Sequence, residues 1–318
     1  MASAKSARTE TAAFLAEWIT NRAVALAPRT IAGYRQLIAH YVNPAIGSIP
    51  LGKLDAGAVT AILANIAQTG HSRTAEAVFV LLRCALRNTC AARIMAQVPR
   101  PRHVPASPSW WTGEEVQGLL SASPVPAMRL AWLLALCCGL RRGEICGLRW
   151  CDVDLPARVI RVANARSVIS GQGTVDGPPK SKSGQRVIPL PEVLIEALSS
   201  ARLMAEADKL LGRPASPYVL RGNSRGGLSP HTLDSWLAQC IQAAGLRPIR
   251  LHDLRHTMAA IAITQGVDVR VLQSLLGHAS VTTTAHIYAH VTTRAQRSAV
   301  DRIAGVLTLN QGVQGSSP

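Results

Sequence analysis

The 318-residue sequence predicts a mainly α-helical protein with a small antiparallel β-sheet, an α+β fold in two domains. Three observations carry this reading. Apolar residues recur at helical spacing through residues 8–96 and again from Pro191 onward. Two strand-like stretches, residues 159–168 and 186–190, flank a segment rich in Gly, Ser, Pro and Lys. Residues 97–109 hold four prolines and no apolar periodicity, the composition of a linker between two folded parts.

Each element has a local cause. Phe14, Leu15, Trp18 and Ile19 form the apolar stripe of a first helix. Pro28 opens a second, which carries Tyr34, Leu37, Ile38 and Tyr41. Pro44, Gly47 and Pro50 mark a turn. A third helix runs from Ala56 to Gln68 and stops at Gly70. A fourth covers residues 73–92, with Val78, Leu81, Leu82, Ala85 and Leu86 on one face. These make a helical domain over residues 1–96, followed by the linker at 97–109. Thr112, with Glu114 and Glu115 in the first turn, caps a helix through Leu120. Pro126 to Cys138 reads as a buried helix, and its apolar run from Leu130 to Leu140 is too short to span a bilayer. Residues 170–185 read as a long β-hairpin loop. The second domain is expected over residues 110–305, with a Gly/Ser-rich tail at 306–318.

The charge is strongly one-sided. The formal net charge is +16 and the pI is about 10.6, which points to a polyanionic partner. Only Lys5, Lys53, Lys180, Lys182 and Lys209 are lysines among 34 basic residues, and arginine suits bidentate phosphate contacts. Residues 1–109 hold 12 basic and 4 acidic residues, and residues 110–318 hold 22 and 14, so each side of the linker nets +8. Two basic lobes closing on DNA as a clamp fit this distribution better than one binding module beside a neutral domain. The seven cysteines include no CxxC pair, which argues against structural zinc and for a reduced, cytosolic protein. Residues 1–10 lack the apolar stretch of a secretory signal.

Four short segments carry chemistry. In GLRRGE, Gly139 can end a helix, and Glu144 lies three residues past Arg141, where a carboxylate can hold a guanidinium. In LHDLRHT, His252 and Arg255 share a helix face, while Leu251, Leu254 and Met258 turn to the core. Asp253 beside His256 reads as a local hydrogen bond, although His252, Asp253 and His256 are also a conceivable metal set. In LLGHAS, Asp268 can cap a helix ending at Gly277, with His278 directly after it. Ser280 can cap the next helix, which carries Tyr288 between His286 and His290. In PPKSKSG, Lys180 and Lys182 sit at a hairpin tip, where an ammonium can enter a groove and protonate a leaving oxygen. Two guanidiniums and two imidazoles suit a phosphodiester, with the phenol as nucleophile.

In their order and spacing these segments resemble the tyrosine recombinases, the phage-integrase family. The match is most specific over residues 110–305 and weaker over the helical part, around PRTIAGY. Residues 1–10 are too few for the extra arm-binding domain of many phage integrases. The resemblance implies a helical core-binding domain followed by a recombinase catalytic domain. It implies that Arg141 and Arg255 clamp the scissile phosphate and that Tyr288 attacks phosphorus, giving a 3′-phosphotyrosine and a free 5′-hydroxyl. Lys180 would protonate the leaving oxygen, with Lys182 as the fallback. His252 would accept the tyrosine proton or orient the phosphate, His278 would donate to a phosphate oxygen, and Glu144 would hold the geometry. Neither a metal, another cofactor nor ATP is expected. The expected partners are double-stranded recombination sites, three further copies of the chain in the synaptic complex, and DNA-bending accessory proteins. The free protein is expected to be a cytoplasmic, nucleoid-associated monomer of bacterial or phage origin. Val300, Ile303, Val306, Leu307 and Leu309 are expected to dock on a neighbouring protomer. The alternatives are a type IB topoisomerase, a catalytically inactive DNA-binding regulator, and a metal-dependent phosphohydrolase built on the His-Asp cluster.

Overall fold

The computed structural model describes residues 7–103, 109–179, 182–222 and 226–277. Contacts divide the chain into two units, one built from residues up to 106 together with Ile169–Gly171 and the other from the remaining residues from 107 onward. Each has its own apolar core.

The first unit is helical: α1 (Thr11–Arg22), α2 (Pro28–Leu37), α3 (Asn43–Ile46), α4 (Ala56–Gln68), α5 (Ser72–Leu86) and α6 (Ile94–Gln97). Pro28 occupies the first helical position of α2, where its missing N–H costs nothing. The Asp55 side chain caps α4 by accepting from the Ala58 N–H at 2.8 Å. Leu15, Val59, Leu63, Val78, Leu82 and Leu86 meet in the core. Helix α2 runs into a π-helical turn at Ile38–Val42, which keeps Ile38 and Val42 buried. The fourth predicted helix is shorter than expected and ends at Leu86 rather than Ala92. The cause is Thr89, whose hydroxyl donates to the Leu86 carbonyl at 2.9 Å and accepts from the Ala91 N–H at 3.2 Å, so a side chain replaces the helical ladder. The start of the predicted linker packs on this unit. Val98 is buried, Arg100 pairs with Glu76 at 2.6 Å, and His103 meets the Ser72 hydroxyl at 3.0 Å.

The second unit contains α7 (Gly113–Ser121), α8 (Pro126–Cys138), α9 (Arg142–Gly147), β1 (Val153–Asp154), β2 (Val159–Val162), β3 (Ala165–Ile169), β4 (Gly173–Gly177), β5 (Arg186–Pro189), α10 (Glu192–Leu210), α11 (Pro230–Ala243), α12 (Leu251–Thr264) and α13 (Val269–Leu276). Thr112 and Glu115 form a reciprocal capping box at the start of α7. Helix α8 lies at the centre. Leu130, Ala131, Trp132, Leu133, Leu134 and Ala135 are all buried, and α8 packs against α10 and α12. No helix among the described residues is long and apolar enough to cross a membrane.

The β-structure departs from the expectation of one hairpin. Strands β1, β2 and β5 form a three-stranded antiparallel sheet in which Ile160 faces Ile188. Strands β3 and β4 form a separate two-stranded sheet. The predicted strand over residues 159–168 therefore breaks at Ala163–Asn164, and part of the predicted loop over 170–185, Gly173–Gly177, is the strand β4. Two contacts explain the break. The Asn164 amide donates to the Gly147 carbonyl at 3.0 Å, turning the chain off the first sheet. Strand β3 then runs directly over α9, where only glycine fits: a Cβ on Gly143 would lie 2.6 Å from the Arg166 carbonyl oxygen, and one on Gly147 would lie 2.9 Å from the Ala165 Cα.

Candidate active site

The site is built at the C-terminal end of α13. The last carbonyls of a helix lack intrahelical partners and carry the negative end of its dipole. Here three consecutive carbonyls each accept from a different arginine. Arg186 Nε donates to Leu275 O at 2.7 Å, Arg255 Nη2 donates to Leu276 O, and Arg141 Nη2 donates to Gly277 O at 3.1 Å. The three guanidiniums come from the start of β5, from α12 and from the N-terminus of α9. Gly277 itself adopts the left-handed conformation that stops α13, as predicted, and Asp268 caps the helix's other end through Arg270 N–H at 2.8 Å.

Glu144 organises two of these arginines. Its Oε1 accepts from Arg141 Nη1 at 2.7 Å and its Oε2 from the Arg141 N–H at 3.0 Å. The same carboxylate accepts from Arg186, with Nη2 to Oε2 at 3.0 Å and Nη1 to Oε1 at 3.3 Å. The side chain of Glu144 is only 2% exposed and that of Arg186 6%, against 32% for Arg141. Burial alone would raise the Glu144 pKa, but the Arg186 hydrogen bonds and charge, together with those of Arg141, hold it below the usual carboxylate range. The pair is thus a buried, doubly engaged ion pair rather than a solvated surface bridge. Arg255 is 2% exposed, and its Nη1 also donates to Gly139 O, the left-handed residue that ends α8. Arg186 was not anticipated as a site residue. In the sequence it is an arginine at the head of a strand, and nothing local distinguishes it.

Residues 182–184 lie close to this end of α13. Lys182 begins a short turn, Lys182–Gly184, whose Gly184 carbonyl accepts from Arg186 Nη1 at 3.0 Å. The Ser183 hydroxyl reaches Gly277 O at 3.5 Å. Lys180, His278 and Tyr288 lie outside the described residues, as do His286, His290 and residues 300–309.

A family model for the phage integrase family matches residues 109–294, and one for the phage integrase central domain matches residues 12–99. The chain belongs to the phage integrase family of tyrosine recombinases. Relatives in this family include the tyrosine recombinase XerA of Thermococcus onnurineus, 31% identical over 86% of this chain and 89% of that protein. A XerC-like tyrosine recombinase of Caldanaerobacter subterraneus is 28% identical over 61% of this chain, and the match spans 53% of that protein's length. Among solved structures, the Tn1549 transposon integrase in complex with transposon right end DNA superposes with a TM-score of 0.71 at 20% identity, covering 93% of this chain and 100% of that one. A lambda integrase tetramer bound to a Holliday junction superposes with a TM-score of 0.65 at 20% identity, covering 88% and 77% respectively. These neighbours share the integrase fold.

In this integrase-family site, His252 stands beside the arginines. It keeps a solvent-exposed surface, but protein walls in the rest of its ring. That loss of water, the edge-on His256 ring 5.0 Å away, and the Arg255 and Arg141 charges push its pKa down to about 4, and water on the open side screens part of the effect. His252 is therefore a neutral imidazole at physiological pH and stays so on mild acidification. An imidazole-nitrogen NMR titration of the free protein, assigned by His252→Gln, should give a midpoint nearer 4 than 6.5. A midpoint at or above 6.5 would mean that the surrounding protein does not shield the ring from water as described.

The neighbouring Asp253 accepts from the Arg250 N–H at 2.9 Å and from its guanidinium at 2.9 and 3.1 Å, so its hydrogen bonds run to Arg250. Among the described residues no three His, Cys, Asp or Glu side chains cluster as metal ligands would.

Proposed function

We propose that this chain recombines DNA at specific sites, breaking and rejoining strands through a 3′-phosphotyrosyl bond to Tyr288. The observation that carries the proposal is the convergence of Arg141, Arg186 and Arg255 on the α13 end directly before His278, with His252 beside them. A scissile phosphate placed there meets preorganised cations where negative charge grows in the transition state. Arg141 and Arg255 engage the nonbridging oxygens, and His278 donates to one of them. The Tyr288 oxygen bonds to phosphorus as the P–O5′ bond breaks. The phenol proton goes to neutral His252, and Lys180, or Lys182 in its place, protonates the departing 5′ oxygen. The tyrosyl ester keeps the phosphodiester energy for rejoining, so the reaction as proposed calls for neither metal nor ATP.

The helical domain over residues 1–96 serves as the core-site reader and residues 110–305 as the catalytic domain. A groove lined by Arg83, Arg87 and Arg100 beside Phe79 and Met95 gives the helical domain a basic face for the DNA backbone. Strand exchange proceeds in a tetramer on two sites, with residues 300–309 docking on the neighbouring protomer and DNA-bending proteins assisting.

A nicked suicide site tests the reading. In the presence of EDTA the protein should become covalently attached to the 3′-phosphate at the scissile position, as the short 5′-hydroxyl fragment between that position and the nick is released. Loss of the adduct in EDTA would return the metal-dependent reading. Relaxation of supercoiled DNA lacking any paired site, without strand exchange, would return the topoisomerase reading.

A further inference from the structure

The β3–β4 hairpin shares no ladder with the main sheet, so its position depends on other contacts. Part of that anchoring is the close passage of β3 over Gly143 and Gly147 of α9. The rest is a polar cluster around Asp176, on β4. Tyr218 donates its hydroxyl to Asp176 Oδ2. Arg149 Nη2 approaches the same oxygen at 3.3 Å, Arg166 Nε lies 3.2 Å from Oδ1, and the Asn164 amide reaches Oδ1 at 3.5 Å. Both guanidiniums also lie against the Tyr218 ring, with Arg166 at 4.8 Å and Arg149 at 5.6 Å from its centre. Arg149 and Tyr218 are themselves joined by an isolated antiparallel β-bridge. A Cβ on Gly227 would lie 2.6 Å from the Tyr218 ring and 2.7 Å from Arg166 Nη1, so the cluster is closed on that side too. Burial would raise the Asp176 pKa, but the Tyr218 and Asn164 hydrogen bonds and the two arginine charges hold it below the usual range. Burial and Asp176 together raise that of Tyr218, which remains a donor.

Asp176 and Gly177 close β4, and Pro178 and Pro179 then lead into Lys180. Pro–Pro is stiff, with φ locked by each ring, so the direction in which β4 ends is passed on to the residues that follow. We propose that Asp176 and Tyr218 are positioning residues for the general acid: they fix the end of β4 and thereby set where the lysine segment meets the leaving 5′ oxygen. This rests on the reading that a lysine at 180 or 182 is that acid. The cluster is more than generic packing, because the Asp176 carboxylate, on the strand that precedes the lysines, accepts from Tyr218, Arg149 and Asn164 and also pairs with the Arg166 guanidinium of β3.

The test uses two DNA substrates in single-turnover cleavage by the full-length protein. One carries a normal scissile phosphate. The other carries a 5′-bridging phosphorothiolate, whose thiolate leaves without needing a proton. Asp176→Asn and Tyr218→Phe preserve side-chain shape, and thermal unfolding identifies which of them keeps the fold. On normal DNA each should cleave roughly 10- to 100-fold more slowly, part of the 10²–10⁴ that proton transfer contributes. On the phosphorothiolate each should return to near the wild-type rate. An equal loss on both substrates, or no loss on either, overturns the proposal. Lys180→Ala and Lys182→Ala run alongside them. If neither lysine variant is rescued, the assignment of the acid fails, a result read on different proteins from the Asp176 and Tyr218 variants.

Discussion

Tyr288→Phe should bind a target site with nearly wild-type affinity and form no covalent adduct at all. The change removes one oxygen, the atom that the proposed mechanism joins to phosphorus. Affinity should persist because a chain of net charge +16 draws it from many phosphate contacts, each adding to the salt dependence of binding. The chain's other tyrosines are committed elsewhere. Tyr34 and Tyr41 pack against the core of the helical unit, and Tyr218 donates its hydroxyl to Asp176. Tyr218→Phe should therefore still form adduct, more slowly, whereas Tyr288→Phe should form none. A denaturing gel on the nicked suicide site reads both. A normal adduct from Tyr288→Phe would move the nucleophile to another residue.

Arg141→Ala and Arg255→Ala should each lose cleavage by roughly 10²–10³, the scale of one oxyanion-stabilising donor, yet differ in stability. Arg141 is one-third exposed, and Glu144 keeps Arg186 as a partner when Arg141 is removed. Its alanine variant should fold normally and lose catalysis alone. Arg255 is buried and donates to Gly139 O and Leu276 O, the ends of α8 and α13. Removing it strands two buried carbonyls, each having lost a charge-assisted hydrogen bond of about 1.5–3 kcal/mol. Arg255→Ala should unfold at a clearly lower temperature than Arg141→Ala. Differential scanning calorimetry and single-turnover cleavage separate the two effects. Equal melting of the two variants would contradict the buried role of Arg255, and cleavage by Arg141→Ala within a few-fold of wild type would make Arg141 structural.

Much of the architecture was legible in the sequence because its causes are local. Helices α4 and α8 begin and end at the predicted residues, since Asp55 caps the first, Pro126 opens the second, and Gly70 and Gly139 stop the chain just beyond their ends. The LHDLRHT segment turned Leu251, Leu254 and Met258 inward on helical periodicity alone. Where a side chain competed with the ladder, the pattern misled. The Val78 to Leu86 stripe suggested a longer helix, but the Thr89 hydroxyl ended it. The break between β2 and β3 was equally hidden, because residues 159–168 have the composition of one strand. What divides them is the backbone of α9 at Gly143 and Gly147, elsewhere in the chain.

The sequence by itself determined the helical elements, their caps, the basic charge and the family to which the chain belongs, because each depends on residue types at short spacing. Only the tertiary structure decided that Arg186 joins Arg141 and Arg255, that Glu144 is buried between two guanidiniums, and that Asp176 anchors a hairpin off the main sheet. The partners there are far apart along the chain: 89 positions separate Arg186 from Leu275, 136 separate Arg141 from Gly277, and 42 separate Asp176 from Tyr218. No local propensity encodes such pairs. They form because the unsatisfied carbonyls at the end of α13 and the buried carboxylate of Glu144 need donors once the core has closed around them, while the partly exposed Asp176 gathers partners that only the folded chain brings beside it; arginine, with five donors in a rigid fork, can serve several acceptors at once.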